Sequence, residues 1–234
     1  MRATILIVTR NRAPQLTIAL ESIRARAYED TEIIVVDDGS TDSTPTILAG
    51  YTDILTSLRI SRQGAYRTNP SAVFNNGHAV AKNEIVIEQG GEVCHLTDCV
   101  TPLVEICRPG VVALARVHHG TPDEYHRLQG DIAADRYPYW PANYTPEQLR
   151  TNGDTWVVPR MIQNNVRIYC GLERPAPFLF CGAIHQQDFD AVGGYDASLP
   201  NRNDEDLANR LIARGVKFTF VGNAVAFHLE HPKT

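Results

Sequence analysis

Three groups of residues in this sequence have types and spacings suited to chemistry. Thr9-Arg10-Asn11-Arg12 and Asp37-Asp38-Gly39-Ser40 each follow a short β-rich apolar run, Thr4 to Thr9 and Glu32 to Val36. Ligands of open α/β sheets bind outside the carboxyl ends of strands. There a carboxylate can accept from a nucleobase N–H or a ribose hydroxyl, and arginines can offset phosphate charge. The same Asp-Gly-Ser also serves as a plain turn with helix caps. Neither a Walker-type phosphate loop nor a dinucleotide-binding glycine fingerprint is present.

The second group is Gln89-Gly90-Gly91-Glu92, which follows another apolar run. The glycines let the backbone bend and a ligand approach closely, and Glu92 is a suitable oxygen ligand for a hard divalent cation. The third is Gly193-Gly194-Tyr195-Asp196 followed by Asn203-Asp204-Glu205-Asp206. Asn203 can cap a helix whose first turn holds Asp204, where the dipole favours an ionised carboxylate. That position suits a general base. Asp206 and Arg210 stand at i,i+4 and can pair with each other. His228 and His231 lie near the end of the sequence. Residues three apart on a strand face opposite sides, so both share a site only if the chain turns; otherwise one is a ligand and the other structural. His118, His119 and His126 receive no role.

These groups need elements to hold them. Thr4 to Thr9 and Glu32 to Val36 read as buried strands, with a helix from Pro14 through Leu16, Ala19, Leu20 and Ile23 between them. Thr41 or Asp42 can cap a short helix containing Ile47 and Leu48. Leu55 to Ile60 is a third strand, and Asn69-Pro70-Ser71 opens another helix. Glu84 to Glu88 is a strand, and Thr97 or Asp98 caps a helix running to Cys107. Val111 to Val117 is a strand. This alternation predicts an α/β fold with a mainly parallel central sheet flanked by helices. Residues 118–177 are rich in Pro, Tyr, Trp and Asn with weak periodicity, so they read as a binding segment or as a partly helical insertion that only covers the sheet. A strand (Phe178 to Cys181), two helices (Gln186 to Val192, Asp204 to Arg214) and a strand pair (Lys217 to Val221, Ala224 to Leu229) complete the pattern.

The chain has 234 residues, 43% hydrophobic and 21% charged, which suits one domain with a substantial core. The formal net charge of −5 gives no general pull towards nucleic acid, although Arg62, Arg67, Arg136, Arg160 and Arg202 can form a local stripe. No run approaches the roughly 20 apolar residues of a membrane span. The first apolar run meets Arg10 and Arg12 and is a strand rather than an export signal. The five cysteines, Cys94, Cys99, Cys107, Cys170 and Cys181, show no zinc-type spacing. Reduced thiols in a cytoplasmic protein are the expectation.

These segments, in this order, resemble the family 2 glycosyltransferases of the GT-A fold. The opening Ile5-Leu-Ile-Val-Thr-Arg-Asn-Arg12 and Glu32-Ile-Ile-Val-Val-Asp-Asp-Gly-Ser-Thr-Asp42 is similar to the family's start. Asn69-Pro-Ser-Ala-Val-Phe-Asn75-Asn-Gly77 is similar to its Asn…Ala-Arg-Asn-x-Gly helix, with Phe74 where Arg is common. Phe180 to Pro232 resembles the C-terminal region of galactosyltransferase-like members.

The resemblance implies a single domain with a nucleotide-sugar half (1–117), an acceptor or lid segment (118–177) and a catalytic half (178–234). It implies inverting transfer of a sugar from a nucleotide-diphosphate sugar, a UDP-sugar first, to an acceptor hydroxyl, with Mn²⁺ or Mg²⁺ as cofactor. Thr9, Arg10, Arg12, Asp37, Asp38, Arg67 and Asn75 fall on the donor side, with Asp38 on the base. Glu92 falls on the last acid of the family's Asp-x-Asp metal motif, His228 on its C-terminal metal ligand and Asp204 on its catalytic base. Trp140, Trp156, Gly182 and Glu205 are candidates for the acceptor or lid side. Tyr137, Tyr139, Trp140, Tyr144 and Trp156 can stack on a sugar ring or a base. A glycan hydroxyl is the default acceptor; hydroxymethylated bases in DNA and a catalytically weak nucleotide-sugar-binding module are the alternatives. Two positions depart from the family: Gly90 replaces the first acid of Asp-x-Asp, and Asn203 replaces the Glu before the base.

Overall fold

The computed structural model describes residues 3–59, 70–136, 143–144, 150–151, 155–156, 167–169, 181–199 and 203–231. Apolar β-branched runs form the centre. β1 (Ala3–Thr9), β2 (Thr31–Asp37), β3 (Thr56–Arg59) and β4 (Ile85–Gly90) lie parallel in the order β3-β2-β1-β4. Side chains of β1 alternate between two apolar layers. Ile5 and Ile7 join Leu16, Leu20 and Ile23 of α1 (Ala13–Arg24), whereas Leu6 joins Val73 of α3 (Ser71–Val80). Burial on both faces is what a continuous apolar run predicts.

The sheet continues as β11-β6-β12-β5, and the described residues form ten strands in it. β5 is Val93–His95, β6 is Val111–Gly120, β11 is Cys181–His185 and β12 is Lys217–Leu229. β7 (Asn143–Tyr144) pairs with β12, and β10 (Arg167–Tyr169) with β6; β8 (Arg150–Thr151) and β9 (Thr155–Trp156) pair with each other. β11 runs antiparallel to both β4 and β6, with Gly182 opposite Glu88 on one side and Leu114 on the other. β12 runs parallel to β6 and antiparallel to β5.

Several boundaries differ from the sequence reading. The expected pair at Lys217 and Ala224 is one strand, whose register on β6 shifts between Val221 and Val225. A bulge absorbs Gly222-Asn223, which read in sequence as a turn. Ser43, rather than Thr41 or Asp42, precedes α2 (Thr44–Ala49), while the Asp42 carboxylate accepts from the Thr44 and Ala13 N–H groups at 3.0 and 3.1 Å. Cys99 precedes α4 (Val100–Ile106), and Asp98 accepts from Thr101 N–H at 3.0 Å. The segment after β6 opens with a regular helix, α5 (Pro122–Ala133). Thr121 and Glu124 form a reciprocal capping box there, a device worth about 1 kcal/mol. The expected strand at Phe178 begins, among the described residues, at Cys181. α6 (Gln186–Ala191) and α7 (Asn203–Ala213) follow as the pattern predicts. No helix among the described residues is long and apolar enough to cross a membrane.

Candidate active site and cation site

The carboxyl ends of β1 and β2 are tied into one rigid lip. Asp38 N–H donates to Thr9 O at 2.9 Å, and Asp37 Oδ1 accepts from Ser40 N–H at 2.9 Å. Asn11 takes a left-handed backbone (φ 50°), donates from its N–H to Ser40 Oγ at 2.9 Å and accepts from Thr41 N–H at 2.8 Å. Gly39 has φ 66°, which explains a glycine in Asp-Asp-Gly-Ser. Thr9, Asp37 and Asp38 are all buried. Thr9 Oγ1, Asp37 Oδ2, Arg10 Nε and Arg10 Nη1 are buried with no hydrogen-bond partner among the described residues. Arg59 Nε stands 3.7 Å from Asp37 Oδ2. Such a concentration of unsatisfied polar atoms at one strand end is where a polar ligand gains most.

β4 brings the glycine turn against this lip. Gly91 N–H donates to Val8 O at 2.9 Å. A Cβ on Gly91 would lie 2.5 Å from Thr9 Oγ1, so only glycine fits this close approach. A Cβ on Gly90 would collide with the carboxylate of Glu92. Glu92 therefore folds back over Gly90, and its carboxylate fills the space of a side chain at that position.

Glu92 meets the end of β12. Its carbonyl accepts from Leu229 N–H at 2.9 Å. His228 lies in register with Val93 on one side and His119 on the other. The strand stops after Leu229, where Glu230 N–H donates to Gly120 O at 2.8 Å. This turn brings both histidines to one carboxylate: His228 Nε2 is 3.5 Å and His231 Nε2 4.0 Å from Glu92 Oε1. Arg12 Nε stands 3.9 Å from Glu92 Oε2. One ligand atom from each of Glu92, His228 and His231 lies within 4.8 Å of the others. One carboxylate oxygen and two imidazole nitrogens make a mixed O/N donor set that suits a divalent first-row transition-metal ion, Mn²⁺ among them. Burial opposes ionisation of Glu92, but the hydrogen bond and charge of His228, then His231 and Arg12, hold its carboxyl below the usual carboxylate range.

Asp204 lies in different surroundings. Burial, followed by the charge of Glu88, pushes its carboxyl up to about 7. Glu88 is fully buried within β4, accepting from Tyr195 OH at 2.5 Å and lying 2.6 Å from His78 Nε2. His78 stacks on Phe189 at 3.6 Å between ring centroids and meets Gln186 Oε1 at 2.9 Å through Nδ1. The glycine turn places Tyr195. Gly193 and Gly194 have φ 78° and 68°, and Arg210 Nη1 donates to the carbonyls of Val192 and Gly194 at 2.6 and 2.8 Å. Asp206 pairs with Arg210 at 2.6 Å, the i,i+4 contact its spacing predicts.

Asn75, expected on the donor side, instead has both ends of its amide on the Tyr195 backbone: Oδ1 accepts from the N–H and Nδ2 donates to the carbonyl, each at 2.9 Å. Gly182 sits in the sheet beside Glu88, and Glu205 is half-buried on α7. Arg67, Trp140 and the side chains of Trp156, Tyr144 and Asn203 lie outside the described residues, as do Tyr137, Tyr139, Arg62, Arg160 and Arg202. Arg136, the described member of the expected stripe, pairs with Asp131 at 2.9 Å.

Sequence reasoning passed over Glu88 and His119. For Glu88 the signal was present: an acid inside the apolar run Ile85-Val86-Ile87. Two other features lie apart from this chemistry. His95, Cys99 and Cys181 converge in the core, but the imidazole of His95 meets Tyr28 OH at 2.9 Å and Gln89 Oε1 at 2.7 Å, and Cys99 Sγ donates to Val225 O at 3.3 Å. With those bonds made, the cluster is satisfied as core packing. A depression of about 560 Å³ lined by Arg26, Asp98, Glu105 and Gln129 contains none of the site residues.

Residues 4–164 match the model of glycosyl transferase family 2. Chondroitin synthase of Pasteurella multocida (strain Pm70) is 25% identical over 244 residues, covering 98% of this chain and 25% of that protein. An uncharacterized glycosyltransferase of Nostoc sp. (strain PCC 7120 / SAG 25.82 / UTEX 2576) is 32% identical over 94 residues, covering 37% of this chain and 26% of that one. The chain thus spans about a quarter of the length of the curated relatives it matches. Among solved structures, S. aureus TarS 1-349 superposes with a TM-score of 0.64 at 15% identity, covering 98% of this chain and 60% of that one. GalNAc-T7 with UDP, GalNAc and Mn²⁺ gives 0.63 at 14%, covering 100% and 44%. The mannosyltransferase PcManGT from Pyrobaculum calidifontis with GDP-Man and Mn²⁺ gives 0.60 at 17%, covering 97% and 56%. With the family model covering well over half its length, the chain belongs to glycosyl transferase family 2 and has the GT-A fold.

Proposed function

We propose that the protein is an inverting glycosyltransferase that moves a sugar from a nucleotide-diphosphate sugar to a carbohydrate hydroxyl. The observation that carries this reading is the convergence of Glu92, His228 and His231 beside the bound-up ends of β1 and β2. Solved relatives with UDP, UDP-GlcNAc or GDP-Man, two of them with Mn²⁺, support a nucleotide sugar and a divalent cation. UDP-sugars are the first donors to test.

Asp38, Asp37 and Thr9 line the base and ribose side, with Arg10 and Arg12 towards the diphosphate. Glu92, His228 and His231 would hold the cation, which when bound would offset charge on the diphosphate. Asp204 accepts the proton of the acceptor hydroxyl as that oxygen attacks the anomeric carbon. The bond from that carbon to the diphosphate oxygen breaks in the same displacement, and the nucleoside diphosphate leaves from the opposite face. A base with a pKa near 7 is matched to this task, being substantially ionised at neutral pH yet still basic.

The test is nucleoside-diphosphate release from UDP-, GDP- and dTDP-sugars, with Mn²⁺ or with chelator. One donor should be turned over in a cation-dependent manner, and Glu92→Gln and His228→Ala should lose that dependence. No release from any donor, together with no calorimetric binding, would overturn the reading.

A further inference from the structure

His119 has no part in the chemistry above, yet the sheet aligns it with a proposed cation ligand. It is the register partner of His228 across the parallel pair β6–β12, so the two rings project on the same face. Their Nδ1 atoms are 2.9 Å apart, with ring centroids at 4.9 Å. His119 Nε2 is 3.6 Å from Glu230 Oε1.

Two imidazole nitrogens at this separation share one proton: one donates and the other offers a lone pair. The direction of that bond decides what His228 can do. If His119 donates, neutral His228 carries its proton on Nε2, which points at Glu92 and leaves no lone pair for a cation. If His228 donates from Nδ1, the proton that its Nε2 shares with Glu92 Oε1 can be given up to leave a lone pair for a cation, and the proton of His119 sits on Nε2, towards Glu230. Ligating histidines are usually held by such a bond on their second nitrogen.

We infer that His119 is a positioning residue for the cation site, accepting the Nδ1 proton of His228 so that His228 Nε2 is held open for metal, with Glu230 favouring the matching tautomer of His119. This rests on the proposed cation-binding role of His228. The pairing also explains why the end of β12 is fastened on both sides, by Leu229 to Glu92 and by Glu230 to Gly120. A shift of that strand end would separate the two rings.

The test is Mn²⁺ titration of the full chain, followed by calorimetry and by the electron paramagnetic resonance of free Mn²⁺. It uses the wild type, His119→Ala and His119→Asn, with His228→Ala and Glu92→Gln as controls. Imidazole ¹⁵N shifts are recorded in parallel with Mg²⁺. His119→Ala should weaken Mn²⁺ by about 10–100-fold and leave His228 as a mixture of tautomers. His119→Asn should restore affinity and the Nδ1–H form, because its side-chain carbonyl can accept at the place of the imidazole Nδ1. Wild-type affinity and an unchanged His228 tautomer in His119→Ala would overturn the inference while leaving the cation site intact. Failure of His119→Asn to rescue would also overturn it, reducing His119 to packing. If the wild type binds no Mn²⁺, or binds it equally in His228→Ala and Glu92→Gln, the cation site and the inference fall together.

Discussion

Glu92 and Asp204 are carboxylates gathered around one strand, β4, and their surroundings move them in opposite directions. Glu92 follows the end of the strand and faces two histidines and an arginine, which keep it ionised against the cost of burial. Asp204 approaches the middle of the strand, where burial and the charge of Glu88 push it up to about 7. Pairs of titratable groups driven apart in this way separate into distinct chemical tasks. The proposed cation ligand needs permanent charge, whereas the proposed base needs affinity for a proton. The difference lies in what β4 places beside each acid, not in the acids themselves.

The sharpest way to break this comparison is Asp204→Asn. Loss of a general base costs about 10²–10⁴-fold in turnover, while donor and Mn²⁺ binding should stay as in the wild type. Retention of full turnover would place the base elsewhere. Stability should move the other way. The carboxyl of Asp204 is raised above its ordinary 3.8 in the folded chain. As pH rises from the ordinary Asp range to neutrality, the unfolded chain therefore gives up its proton first, and the folded state is penalised. Asp204→Asn removes that penalty, so its melting temperature should exceed the wild type's at pH 8 and match it at strongly acid pH.

Much of this pattern was legible in the residue order. The apolar runs before Thr9, Asp37 and Gly90 predicted strands whose ends carry the residues proposed for the donor side, and these strands lie side by side. Glu92 and His228 could be matched to a cation site by position. Whether His231 joins them was left open in the sequence, because it depends on a turn after the strand; the turn after Leu229 brings both to Glu92. The structural contact of Asn75 was hidden for a related reason. Its amide looks like a ligand group in sequence, but its partner, the Tyr195 backbone, lies 120 residues away. His119 was invisible because its partner is set by the β6–β12 register, which includes a bulge. A partly helical insertion was one reading of the segment after β6, but α5 was not placed in it, because the segment was judged by composition rather than by its Thr-Pro-Asp-Glu start.

Glu88→Gln sharpens the comparison by a smaller effect. The amide keeps the shape of the carboxylate and can still accept from Tyr195 OH, but it removes the charge facing Asp204. Asp204 then ionises at lower pH, because one of the two causes of its raised pKa is gone while burial remains. The acid limb of the pH–rate profile should shift to lower pH, and Mn²⁺ affinity should not change. An unmoved limb would mean that Asp204 is not the titrating base or that Glu88 does not act on it.

The smallest effect expected on turnover comes from Asn75→Ala, which tests whether the two regions are independent. The substitution strands the Tyr195 N–H and carbonyl at a turn already held in left-handed backbone at Gly193 and Gly194. Leaving buried backbone groups unsatisfied costs about 1–3 kcal/mol, to be read as a lower midpoint in denaturant. Once Tyr195 loosens, its hydroxyl no longer holds Glu88 in one place, so turnover should fall modestly with the donor KM unchanged. Cation affinity should be untouched, because Glu92, His228 and His231 are held by β5, β6 and the turn after β12 rather than by the glycine turn before α7. A parallel loss of Mn²⁺ binding would show that β4 couples its end to its middle, making the two acids one cooperative unit rather than two environments on a common strand.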